Sequence, residues 1–68
     1  MTRKDYNAVA TSFGFSMRLT DETTGAWQMV DAFAQVAARD NARFDIDRFF
    51  DWVRETYQGT RDIDGKKV

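Results

Sequence analysis

Apolar residues return along this chain every three to four positions in three separate segments, which is the period of a helix. In the first segment Tyr6, Val9, Ala10, Phe13 and Met17 make one stripe. Thr2 suits the N-cap, and Asp5 follows where the helix dipole favours a carboxylate. Gly14 interrupts the pattern at a cost of about 1 kcal/mol relative to alanine. The stripe continues past it and predicts a helix ending near Arg18.

The stretch Thr20–Gly25 reads as a turn and a cap, with Asp21 or Thr20 as the N-cap of a second helix ending near Arg39. Trp27, Val30, Ala34 and Ala37 line one face of that helix, and Met29, Ala32, Phe33 and Val36 a second. Only Gln28, Asp31, Gln35 and Arg39 form a polar strip. A helix apolar over most of its circumference is expected to be buried, so this one is expected at the centre, packed on both sides.

Asp40–Arg43 is a loop. Asp45 then caps a third helix, with Phe44 and Phe49 placed as a hydrophobic staple. Ile46, Phe49, Phe50, Val53 and Tyr57 form its core face, and Gly59 ends it. Thr60–Val68 has little to bury and is expected to fray. The pattern predicts an all-α fold: a compact three-helix domain over residues 1–58, with a flexible C-terminal tail over 59–68.

Composition narrows the functions open to such a domain. The chain has 68 residues and neither cysteine nor histidine, so disulfides, thiolate metal sites and imidazole chemistry are excluded. A domain of this size buries only about 60 % of its unfolded surface, and ten aromatic side chains supply the core instead. Lys and Arg number 10 against 11 Asp and Glu, a balance that disfavours a general polyanion binder. No signal-peptide pattern and no membrane-length apolar run is present, so the expected location is the cytoplasm.

Three constellations invite a chemical reading. Asp45, Asp47 and Asp51 could be taken for a cation cluster, but a cap, a first-turn anion and an ion-pair partner explain them better. Asp62-Ile63-Asp64-Gly65 echoes a calcium loop, yet Thr60 holds its first ligand position and no closing Glu follows. No catalytic residue, metal or cofactor is expected. The third helix could read DNA through Arg48 and Arg54, although half of its exposed positions are acidic. Arg3, Lys4, Arg18 and Arg43 are further basic residues whose grouping the sequence leaves open.

The apolar surplus points elsewhere. Phe15 lies opposite the first stripe, Trp52 lies at the edge of the third helix's core face, and Met29 needs cover. Core aromatics of a very small domain and anchors for a partner are both open readings, since aromatic residues dominate binding hot spots.

Met1-Thr2-Arg3-Lys4-Asp5-Tyr6 and the box Asn41-Ala42-Arg43-Phe44-Asp45-Ile46-Asp47-Arg48-Phe49 together resemble a group of short bacteriophage and mobile-element proteins. Those begin MTRKDY or similar and carry an N-P-R-F-D-x-x-R-F box. Here Ala42 replaces the usual proline, and the chain continues through Trp52 into a charged tail. The resemblance implies a phage context and no catalytic residues. It suggests a small accessory protein that occupies a host or phage protein, such as an inhibitor of a host defence system. The expected contact residues are Phe15, Met29 and Trp52, with Arg43 and Arg48 at the rim. A homodimer is an alternative assembly, nucleic acid is a disfavoured partner, and no membrane is expected.

Overall fold

The computed structural model describes residues 1–20 and 24–68. Among them the fold is all-α, with α1 at Arg3–Thr20, α2 at Thr24–Asp40 and α3 at Ile46–Gln58.

Thr2 and Asp5 cap α1 reciprocally. The Thr2 N–H donates to Asp5 Oδ2 at 2.9 Å, and the Asp5 N–H donates to Thr2 Oγ1 at 3.3 Å. This is a capping box with aspartate in the place usually held by Glu or Gln. The same contacts hold the Asp5 carboxyl below the ordinary aspartate range, chiefly through the Thr2 N–H. α1 runs beyond its predicted end to Thr20, whose hydroxyl donates to the Ser16 carbonyl at 3.0 Å. Thr20, expected in the turn as a cap, therefore belongs to the last turn of α1, and α2 begins at Thr24. The other expected cap, Asp21, lies outside the described residues.

α3 starts and stops as its sequence predicts. Asp45 Oδ1 accepts the Arg48 N–H at 3.0 Å, and the Phe44 and Phe49 rings sit 5.4 Å apart as the staple. At the other end Gly59 takes φ 86°. The Gly59 N–H donates to the Thr56 carbonyl and the Thr60 N–H to the Glu55 carbonyl, the paired bonds of a Schellman motif.

α1 and α3 form the principal packing pair. They meet at Gly14, where an added Cβ would lie 2.6 Å from both Thr56 Cβ and the Val53 carbonyl oxygen. The residue that weakens α1 as an isolated helix is the one that lets α3 approach. Ala10, Met17, Val53 and Thr56 are fully buried beside it. Thr56 keeps its hydroxyl satisfied by donating to the Trp52 carbonyl at 2.9 Å.

α2 is not the central element its composition suggested. It reaches the pair through long side chains: Phe33 lies 5.9 Å from Phe13 and 5.4 Å from Phe49, and Trp27 stacks 6.3 Å from Phe50. Val30, Ala34 and Ala37 are buried behind these rings. Of its second apolar face only Phe33 reaches the core, and the rest stays open, with Met29 64 % exposed and Val36 60 %. Two short helices already packed on each other have no surface left to cover it.

The expectation of a frayed tail is also corrected. Residues 60–68 fold back as a hairpin, bridged between Arg61 and Lys67. The Val68 N–H donates to the Thr60 carbonyl, and the Asp62 N–H to the Lys66 carbonyl, both at 2.9 Å. Asp62 Oδ1 accepts the N–H groups of Asp64 and Lys66, and Gly65 takes φ 80°. The apparent echo of a calcium loop is therefore turn chemistry: the carboxylate is spent on backbone donors.

Gly14→Ala should lower unfolding stability by about 1–3 kcal/mol through overpacking. Gly25→Ala, whose Cβ would meet nothing within 4 Å, should be neutral or stabilising by up to about 1 kcal/mol; denaturant titration of both variants checks the contrast. For Asp5 the folded carboxyl titrates below its ordinary value of 3.8. Its stabilisation is thus complete above that value and is lost as the pH falls through the lower folded one. Amide exchange in the first turn of α1 should loosen only in that acid range, and Asp5→Asn should remove the pH dependence.

Candidate interaction surface

Trp52 pins the C-terminal hairpin to the helices. Its indole N–H donates to Thr11 Oγ1 at 2.8 Å, tying α3 to α1. The Arg61 guanidinium lies 3.7 Å over the indole ring, a cation–π contact on a half-buried face. Arg61 also donates through Nε to Glu55 at 3.0 Å and through Nη1 to the Gly65 carbonyl at 2.7 Å. A Cβ on Gly65 would lie 2.9 Å from the indole Cζ2, so glycine serves both the left-handed turn and the close approach.

The expected anchor is therefore already engaged within its own chain. Trp52 is half-buried, with one ring face, a ring edge and the N–H each engaged by a neighbour.

Beside it runs an open groove of about 650 Å³ between α1 and the hairpin, lined by Ala8, Phe15, Leu19, Trp52 and Ile63. Phe15 and Trp52, singled out separately in the sequence, meet here. Leu19 and Ile63 are 73 % and 61 % exposed, and the sequence analysis missed both. Leu19 stands one turn beyond Phe15, outside the core stripe, and that spacing was the available signal. Ile63 is an apolar residue within a charged tail, and only the hairpin brings it to α1.

Arg43 and Arg48 also come together, but elsewhere. With Arg3 they line a cavity of about 280 Å³ whose walls include Tyr6, Asn7 and Phe44. The turn before α3 places Arg43, because the Arg43 N–H donates to Asn41 Oδ1 and the Phe44 N–H to the Asn41 carbonyl. Asn7 lines both the cavity and the groove. Met29 lines neither and stands on the outer face of α2. Arg18 lies by Gly59, at the opposite end of α1 from Arg3 and Lys4.

The outer face of α3 carries an Arg54–Asp51 ion pair at 2.9 Å and the Arg61–Glu55 pair at 3.0 Å. Among the described residues no three acidic side chains are grouped to hold a metal ion, and no helix is long and apolar enough to cross a membrane.

No family model, curated protein or solved structure matches the chain.

Gly65→Ala should cost about 1–2 kcal/mol from the positive φ alone, with the indole contact adding to it. Amide-exchange protection of Lys66 and Val68 should be lost while the helical circular-dichroism signal is kept. Unchanged protection would show that the hairpin does not depend on its seat against Trp52.

Proposed function

We propose that this chain is a small non-enzymatic binding protein that engages another protein through the groove between α1 and the C-terminal hairpin. The observation that carries the reading is the concentration of Phe15, Leu19 and Ile63 around one groove beside Trp52. Scattered surface apolar residues need no explanation, but apolar side chains from two elements gathered at one concavity are characteristic of interaction sites. With the phage-like start and Arg-Phe-Asp box, the finer reading is a phage or mobile-element accessory protein acting in the host cytoplasm. It would occupy a host or phage protein, such as a component of a defence system.

The DNA-reading alternative has less support. Arg54 is paired with Asp51, and the Trp52 face that could stack on a base is covered by Arg61.

Capture from host lysate with the tagged protein, read by mass spectrometry, should recover one protein with or without nuclease treatment. The triple variant Phe15→Ser, Leu19→Ser, Ile63→Ser should lose that protein while keeping its helical signal. Recovery abolished by nuclease would move the function to nucleic acid. A dimer in solution that the triple variant dissolves would make the occupant a second copy of the chain.

A further inference from the structure

The arginine-lined cavity lies at the end of the groove, and its charge is uncommitted. Among the described residues, the side chains of Arg3, Arg43 and Arg48 make no ion pair or hydrogen bond, whereas Arg54 and Arg61 both do. α1 and α3 both begin at this cavity, but Asp5 and Asp45 already engage backbone donors there. The guanidinium groups supply the positive charge. They are opposed in the lining by one carboxylate, Asp45, itself spent as the α3 cap.

Arg3, Asn7, Thr11 and Phe15 stand at successive i, i+4 positions along α1. The row joins the cavity to the groove over about 18 Å of helix axis, from the 1.5 Å rise per residue. An extended polypeptide of about 5–6 residues covers that distance.

We propose that Arg3, Arg43 and Arg48 form a carboxylate-binding pocket for the acidic end of the polypeptide whose apolar side chains fill the groove. The inference rests on the groove being a protein-binding site and specifies the chemistry of its occupant: an acidic cluster followed, one groove length away, by aliphatic or aromatic anchors. Planar guanidinium groups suit carboxylates, which they bind in bidentate fashion. The neighbouring walls of Phe15, Leu19 and Ile63 suit side chains of a peptide better than a sugar-phosphate backbone. The groove itself carries Lys4 and Asp64 and so has no net positive charge to hold a sugar-phosphate backbone.

The test is selection of a displayed random peptide library on the full chain, followed by affinity measurement on synthetic copies of the enriched peptides. The expected peptides combine Asp or Glu residues with apolar anchors. Arg43→Gln and Arg48→Gln should each weaken them about tenfold or more, the loss of a charge-assisted contact. The groove triple variant should abolish binding. All three side chains of the pocket are exposed, so an unchanged thermal transition in the Gln variants separates lost contacts from lost folding.

Enriched peptides without acidic residues, or with affinity indifferent to both Gln substitutions, would overturn the pocket and leave the groove reading standing. Enrichment of nothing, or binding untouched by the groove variant, would overturn both. An oligothymidylate that displaces the peptides and depends on the same arginines would reassign the surface to single-stranded nucleic acid.

Discussion

The structure depends on two backbones coming close at one residue. α1 and α3 approach until Gly14 faces the Val53 carbonyl and the Thr56 side chain, with no room for a methyl group. In a chain this short the core cannot be enlarged by adding layers, so it is made dense instead. Glycine costs α1 about 1 kcal/mol of helix propensity. In exchange Ala10, Met17, Val53 and Thr56 are sealed from solvent. Phe49 then packs its ring against Phe13, Phe33, Phe44 and Phe50, and so joins the tight pair to the looser α2.

The same closeness makes α1 a helix with work on both sides. Its inner face meets α3, while Thr11, at the margin of that face, accepts the Trp52 indole and leaves Phe15 and Leu19 on the outer face. The hairpin completes the groove because Trp52 gives it a seat: Arg61 lies over the ring and Gly65 rests against its edge. Arg61 is committed to three partners at once, the indole, Glu55 and the Gly65 carbonyl. Such a partly buried group has more to contribute than an exposed pair such as Arg54–Asp51, which is of a kind worth about 0–1 kcal/mol.

Those features that are local in sequence were legible before the fold was known. Thr2 with Asp5, Asp45 with Arg48, Phe44 with Phe49 and the Gly59 stop all depend on residues within a turn of each other, and each is found as its spacing predicts. Apart from the end of α1, which runs on through Thr20, what failed depended on contacts distant in sequence. Gly14 read as a weakness because its partner, Thr56, is remote along the chain. α2 read as central because it is apolar nearly all round, yet apolar circumference measures only what a helix could bury. Whether neighbours remain to cover it is decided by the other helices, and here they had packed on each other. The tail read as frayed because one isoleucine and scattered charges gave it no core of its own; its order comes from Trp52, which was assigned to a different role. Phe15 and Trp52 were singled out as aromatics outside the core stripes, but only the fold shows that Trp52 packs against the core and that both line one groove.

In this arrangement the residues that shape the groove stand in its wall beside the apolar side chains that would touch a partner. Ile63 reaches the groove from the hairpin, and nothing in its own side chain fixes the distance to Phe15 and Leu19. That distance is set by Trp52, through its bond to Thr11 on one side and its contact with Gly65 on the other. The groove's width is thus determined by three residues that also form part of its wall. A chain without cysteine holds this geometry with one indole, one guanidinium and one glycine, all among its last seventeen residues. The Arg3, Arg43 and Arg48 cavity is fixed independently, by the α1 capping box and the Asn41 turn. Groove and cavity therefore meet at Asn7 as two separately built halves of one surface, and disturbing the hairpin should alter the apolar half while leaving the charged half in place.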